Sequence, residues 1–222
     1  MEIKVLYKDK HVLIVSKPVG VLSEESPKGG ETITQLMSKQ TGGYVGLVHR
    51  LDRITGGVML LSCNEKTVGK LCNLVASGDY EKEYMAVIDG KPEKDEDFFD
   101  DLLYFDRKSS KSFIVSRPRN GVKDAKLSYK IIETVKAPAG EKTLVAIKLY
   151  TGRTHQIRAQ FASRKLPLTG DVKYGSRDGG CRCALWSAAA KFIHPITKEE
   201  ISVKDAPPTE EYPWNLFKTI TE

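Results

Sequence analysis

Short apolar runs rich in β-branched residues follow one another along this chain, with brief turns between most of them. No other feature restricts the fold as strongly. Consecutive strands joined by turns pair antiparallel, whereas a doubly wound fold needs a helix between successive strands. Ile3 to Leu6 and Val12 to Val15 flank the turn-forming Tyr7-Lys8-Asp9-Lys10 and predict an opening hairpin, punctuated by Lys17-Pro18-Val19-Gly20. Further strands are expected at Gly46 to Val48, Val58 to Leu61, Tyr84 to Ile88, Phe113 to Val115, Leu127 to Val135 and Leu144 to Tyr150. The clearest helix runs from Asn64 to Gly78. Asn64 can cap it, Glu65 suits its first turn, Val68, Leu71, Cys72 and Val75 share one face, and Gly78 ends it. Shorter helices are expected over Thr32 to Lys39 and Thr154 to Ser163, with loops at Ser26 to Gly30 and over the acidic stretch 91–99. Ala184 to Ile193 suits strand or helix, since Ala188-Ala189-Ala190 favours one and Trp186, Phe192 and Ile193 the other. The expected class is α+β: a mixed, largely antiparallel sheet with flanking helices and loops.

The 222 residues suit one large domain or two small ones. Lys and Arg number 35 against 29 Asp and Glu, and this net charge of +6 becomes informative only where basic residues gather near chemistry. Cys63, Cys72, Cys181 and Cys183 form no Cys-x-x-Cys pair and no zinc-finger spacing, so ordinary thiols, a reducing compartment and no metal are expected. The N-terminus lacks the apolar core of a signal peptide, and no run approaches the ~18 apolar residues of a membrane span. These features point to a cytoplasmic protein with no membrane association.

Asp52 stands in His49-Arg50-Leu51-Asp52-Arg53-Ile54-Thr55-Gly56-Gly57, between two expected strands. Loops held by rigid strands are where reactive side chains concentrate. Cations at His49, Arg50 and Arg53 would favour its ionised form, and Thr55-Gly56-Gly57 offers a hydroxyl and two flexible positions for a tight turn. An isolated loop Asp is ordinarily a surface ion pair, so its neighbours carry the weight. A second constellation is Thr151-Gly152-Arg153-Thr154-His155-Gln156-Ile157-Arg158, in which helix amides and arginines could hold an anion, with capping by solvated arginines as the plain alternative. Tyr84, inside a strand, is either core or a proton handler. A metal site at His49, Asp52 and His155 has no recognisable ligand spacing, and neither a P-loop nor a G-x-G-x-x-G occurs.

Taken in order, these segments resemble the RluA-type RNA pseudouridine synthases. His49 to Gly57 resembles their H-R-L-D-x-x-T-S/G-G signature, and Lys17-Pro18-Val19-Gly20 their early K-P-x-G segment. Lys82-Glu83-Tyr84-Met85-Ala86 resembles their tyrosine-bearing strand, Gly152 to Arg158 their G-R-T-H-Q-I-R helix, and Pro167 to Gly175 their P-I-x-G-D-x-x-Y-G segment. The resemblance implies a cofactor-free isomerisation of uridine in ribosomal or transfer RNA. It makes Asp52 the nucleophile, Tyr84 the tyrosine that packs on the base and helps remove the C5 proton, and Arg158 the partner of the catalytic Asp. It leaves open whether Asp52 attacks C1′ or C6 or first removes a sugar proton. Arg50 matches a residue that fills the gap left by a flipped uridine, and Arg53, Arg153 and His155 are expected to contact substrate. Arg107, Lys108, Lys111, Arg117, Arg119, Arg164 and Lys165 are candidates for phosphate contacts.

The chain departs from the family pattern at three places. Gly56 stands where many relatives have Ser, Trp186-Ser187 where many have His-Ala, and Gln160 where many have His. Residues 1–222 are expected to form a single catalytic domain without a preceding RNA-binding domain, acting as a monomer. The alternatives are a catalytically silent RNA-binding protein of the same fold and, more distantly, a metal-dependent phosphodiesterase using His49, Asp52 and His155.

Overall fold

A computed structural model describes residues 1–27 and 29–220. The expected loop over Ser26 to Gly30 includes Lys28, which lies outside the described residues. In chain order the strands and helices are β1 (Val5–Lys8), β2 (Val12–Lys17), α1 (Ile33–Thr41), β3 (Gly46–Leu47), β4 (Gly56–Ser62), α2 (Glu65–Ser77), β5 (Glu81–Asp89), β6 (Glu96–Asp106), β7 (Lys111–Val115), β8 (Val122–Ala137), β9 (Gly140–Leu149), α3 (Gln156–Ser163), β10 (Leu185–Ile193) and β11 (Glu200–Lys204). They form two compact units: Met1–Lys82 with Trp186–Pro207, and Glu83–Leu185 with Pro208–Glu222.

In the first unit β2 and β4 are central strands, apolar on both faces and almost wholly buried. β2 pairs antiparallel with β1 and β4, β3 adds to β4, and β10 pairs antiparallel with β11. β10 also pairs in parallel with β4, where Trp186 faces Gly56 and Ser187 faces Gly57. The mixed, largely antiparallel pattern is therefore present. β10 settles the segment left open between helix and strand. Its alanines are good helix formers, but pairing with β11 and β4 overrides that local preference.

α1 is held by a capping box between Thr32 and Gln35 and stopped by Gly42 in the left-handed region. In α2 Asn64 caps the Lys66 amide, and Leu71 enters a core with Val12, Ile14, Val58, Leu60, Phe192 and Ile201. This packing fixes the frame that carries the loop between β3 and β4.

In the second unit β6 lies between β7 and β8, and β8 pairs in turn with β9, all antiparallel. α3 packs through Phe161 on Phe99 and Tyr129, at ring separations of 5.3 and 5.5 Å. The acidic loop expected over 91–99 is corrected here: β6 begins at Glu96. Its acidic residues are poor strand formers, but Phe99 and Leu103 alternate into the core, and that burial decides the element.

Candidate active site

The loop bearing Asp52 is fastened at several points. The Thr55 amide donates to the Asp52 carbonyl at 3.0 Å and closes a tight turn. Just before it, Ser23 grips Leu51 on both sides: the Leu51 amide donates to Ser23 Oγ at 3.1 Å, and that hydroxyl donates to the Leu51 carbonyl at 2.7 Å. Just after it, the Gly20 amide donates to the Arg53 carbonyl at 2.7 Å, and Arg53 Nε donates to the Gly20 carbonyl at 3.0 Å. Asp52 is half-buried on a backbone that neighbouring loops hold in place.

Lys17, in the Lys17-Pro18-Val19-Gly20 segment, takes a role that its local sequence does not reveal. Its side chain is fully buried, and Nζ donates to the Pro18 and Val21 carbonyls at 3.1 and 2.9 Å. It thereby shapes the short loop whose Gly20 holds Arg53. Burial pushes its ammonium down to about 8, against the upward pull of the Asp52 carboxylate. Below about pH 8 Lys17 is charged whether folded or unfolded, and its desolvation opposes folding. Between about 8 and its ordinary 10.5 the unfolded chain binds the proton and the folded one does not, so that penalty fades as pH rises. The same deprotonation removes positive charge from beside Asp52. Turnover should therefore decline above about pH 8, and Lys17→Met should run at a low level without that alkaline limb. Superimposable pH–kcat/KM profiles for the two proteins would contradict this.

His49 is not the cation expected beside Asp52. Its Nε2 accepts from the Leu60 amide at 3.0 Å, and burial pushes its pKa down to about 3, helped by the charge of Lys82. It is a neutral strut between the loop and β4, in ring contact with Tyr80. Among the described residues no group of three or more His, Cys, Asp or Glu side chains is placed to hold a metal ion. Arg50 is exposed and pairs with Glu24 at 2.8 Å, a surface contact that costs little to exchange for another anion.

In the second unit Tyr84 is buried in β5. Arg158, 4% exposed, engages Asp171, 2% exposed, through two parallel bonds: Nε to Oδ2 at 2.6 Å and Nη2 to Oδ1 at 2.8 Å. Its guanidinium lies over the Tyr174 ring, 4.8 Å from the centroid. Tyr174 accepts from the Ser112 amide at 2.7 Å and meets His155 Nδ1 at 3.0 Å. His155 adopts a left-handed backbone (φ 54°) at the start of α3. Arg153 Nε donates to the Asp124 carbonyl at 2.9 Å, while its amide donates to Gln156 Oε1 at 3.1 Å, which caps the helix from within. Asp171 and Tyr174 also escaped a role in the sequence, although both stand in the Pro167 to Gly175 segment. Gln160, the departure from His, is buried in α3 and donates to Asp101 and to the Ala125 carbonyl, so its effect falls on packing.

The α+β fold is that of RNA pseudouridine synthases. The structure resembles human RNA Pseudouridylate Synthase Domain Containing 1 with a TM-score of 0.79 and 20% identity, covering 93% of this chain and 84% of that one. Residues 11–163 match the sequence family described as RNA pseudouridylate synthase, and the chain belongs to that family. It is 31% identical over 220 residues to tRNA pseudouridine synthase C of Haemophilus influenzae, covering 90% of this chain and 91% of that protein. It is also 31% identical over 223 residues to the uncharacterized RNA pseudouridine synthase YlyB of Bacillus subtilis, covering 95% of this chain and 71% of that protein. The protein is thus an isomerase that converts uridine in RNA to pseudouridine. No helix among the described residues is long and apolar enough to cross a membrane.

Proposed function

We propose that this chain isomerises a uridine of transfer RNA, with Asp52 as nucleophile. The observation that carries the assignment is the Asp52 turn, gripped by Ser23 before it and by Gly20 after it and set beside the buried Lys17 ammonium. Transfer RNA is favoured over ribosomal RNA because the relatives named tRNA pseudouridine synthase C match over about nine tenths of both lengths. Both compact units contribute to the span matched by the family, 11–163, so we take 1–222 as one catalytic domain, working as a monomer in the cytoplasm.

The reaction needs no net redox change. The glycosidic bond to N1 breaks, the base turns, a bond to C5 forms, and the C5 proton leaves while N1 gains one. The reacting atoms of stacked RNA are poorly accessible, so the nucleotide must leave the stack at a cost of a few kcal/mol. Arg50, Arg53, Arg153 and His155 contact the substrate in this reading. Arg107, Lys108, Arg117, Arg119 and Lys173 are all exposed, and phosphate contacts of this kind offset the flipping cost. Arg119 is stacked on Tyr104 at 4.5 Å, which holds its plane in place.

Incubating the protein with transfer RNA and ribosomal RNA transcripts, then mapping pseudouridine, tests the reading. Product confined to ribosomal transcripts would overturn the substrate class. Tyr84 handles the C5 proton in this proposal, so Tyr84→Phe should slow single turnover by about 10²-fold or more while RNA affinity holds. Unchanged single-turnover kinetics would remove Tyr84 from the mechanism.

A further inference from the structure

The two adjacent glycines after the Asp52 turn have different causes. Gly57 has φ +104°, and a Cβ there would lie 2.2 Å from the Ser187 carbonyl oxygen. Backbone meets backbone, and no side chain fits. At Gly56 the obstacle is one side chain. A Cβ would lie 2.3 Å from Cζ3 of Trp186 and 2.9 Å from its Cε3. The three atoms nearest to that Cβ all belong to the indole.

That indole cannot easily retreat. It is buried, its register partner across the parallel pair is Gly56 itself, and its Nε1 donates to the Asp205 carbonyl at 3.2 Å. Asp205 is in turn anchored, accepting from Ser16 Oγ at 2.6 Å and pairing with Lys4 at 3.0 Å. The ring is a strut with one edge pinned to this segment and the other pressed on the first residue after the catalytic turn. Thr55, which closes the turn onto the Asp52 carbonyl, is the residue next to Gly56 and is itself buried. Any shift of Gly56 passes directly to Asp52.

These are two of the three positions at which the chain departs from the family pattern, with Gly for Ser and Trp for His. We infer that Trp186 is a positioning residue for the reaction, and that it and Gly56 act as one coupled unit that sets where the Asp52 turn sits. The large ring and the absent side chain replace a smaller ring and a serine, so neither change is tolerated without the other. The inference rests on the reading of Asp52 as nucleophile.

The test is a double-mutant cycle of Gly56→Ser, Trp186→His and the pair together. It is followed by single-turnover rate and RNA Kd on a transcript that the parent modifies, and by thermal unfolding. Gly56→Ser should lose at least about tenfold in rate with Kd within about threefold, because small misplacements of a reacting group act on the rate. The double variant should return to within about threefold of the parent. Parental rate in Gly56→Ser, or a double variant no faster than the slower single one, overturns the coupling. Recovery of the unfolding temperature without recovery of rate reduces the pair to packing and equally overturns a positioning role. Should Gly56→Ser fail to fold, Trp186→Phe keeps bulk against Gly56 and loses the bond to Asp205. A parental rate there also counts against the proposal, and a loss of rate at constant Kd supports it. Turnover by Asp52→Ala would refute the nucleophile whatever the cycle gives, whereas failed rescue refutes the coupling alone.

Discussion

Asp52→Ala is expected to abolish pseudouridine formation, by at least about a thousandfold in single turnover, because in the proposed mechanism it removes the nucleophile and leaves only binding and electrostatics. The protein should remain folded and keep its affinity for RNA. The turn is closed by the main-chain carbonyl of Asp52 and the Thr55 amide, and the flanking grips run through Leu51 and Arg53, so these fastenings survive when the carboxylate is removed. Asp52→Asn should behave alike, since an amide has the shape of the carboxylate without its charge or nucleophilicity. Mass-spectrometric detection of product from the Ala variant at a rate near the parent's would remove Asp52 from the mechanism. Loss of RNA binding in parallel with loss of activity would instead assign it to substrate recognition.

What the sequence made legible and what it hid differ by the range of the interactions. β2 and β4 were readable because strands buried on both faces are continuous apolar runs, and α2 because Asn64 and Gly78 mark its ends. The Asp52 turn was readable only in part: Thr55 closes it, whereas Gly56 and Gly57 lie beyond it at the start of β4. β6 was hidden by acidic residues on an exposed alternate face, and β10 by alanines whose partners lie on β4 and β11. His49 read as a cation because its type allows one. Only burial, and the Leu60 amide on Nε2, make it neutral. Lys17 and Asp171 stand in the Lys17-to-Gly20 and Pro167-to-Gly175 segments without a legible role, because nothing local says that a lysine or aspartate is buried. Their partners come from elsewhere in the fold. The glycine at position 56 was visible as a departure, and its reason, a ring on β10, was not.

The buried fork of Arg158 and Asp171 carries the largest expected effect on stability. Both side chains are almost completely removed from water, and each offsets the other's desolvation through two short bonds. Asp171→Ala leaves a guanidinium in the interior of its unit without that carboxylate. Breaking a buried pair in this way costs about 3–5 kcal/mol, and for a chain of this size that corresponds to roughly 6–20 °C in unfolding temperature. Asp171→Asn keeps the shape and can accept from only one of the two donors, so it should fall between the Ala variant and the parent. Arg158→Lys should lose activity as well as stability. An ammonium cannot make two parallel bonds to Asp171 and lie flat over Tyr174 at once, and those two contacts set the plane of the guanidinium. Thermal unfolding together with single-turnover rate separates the roles. An unfolding temperature unchanged in Asp171→Ala would show that the fork contributes nothing net. Full activity in a stably folded Arg158→Lys would confine Arg158 to the architecture of its own unit.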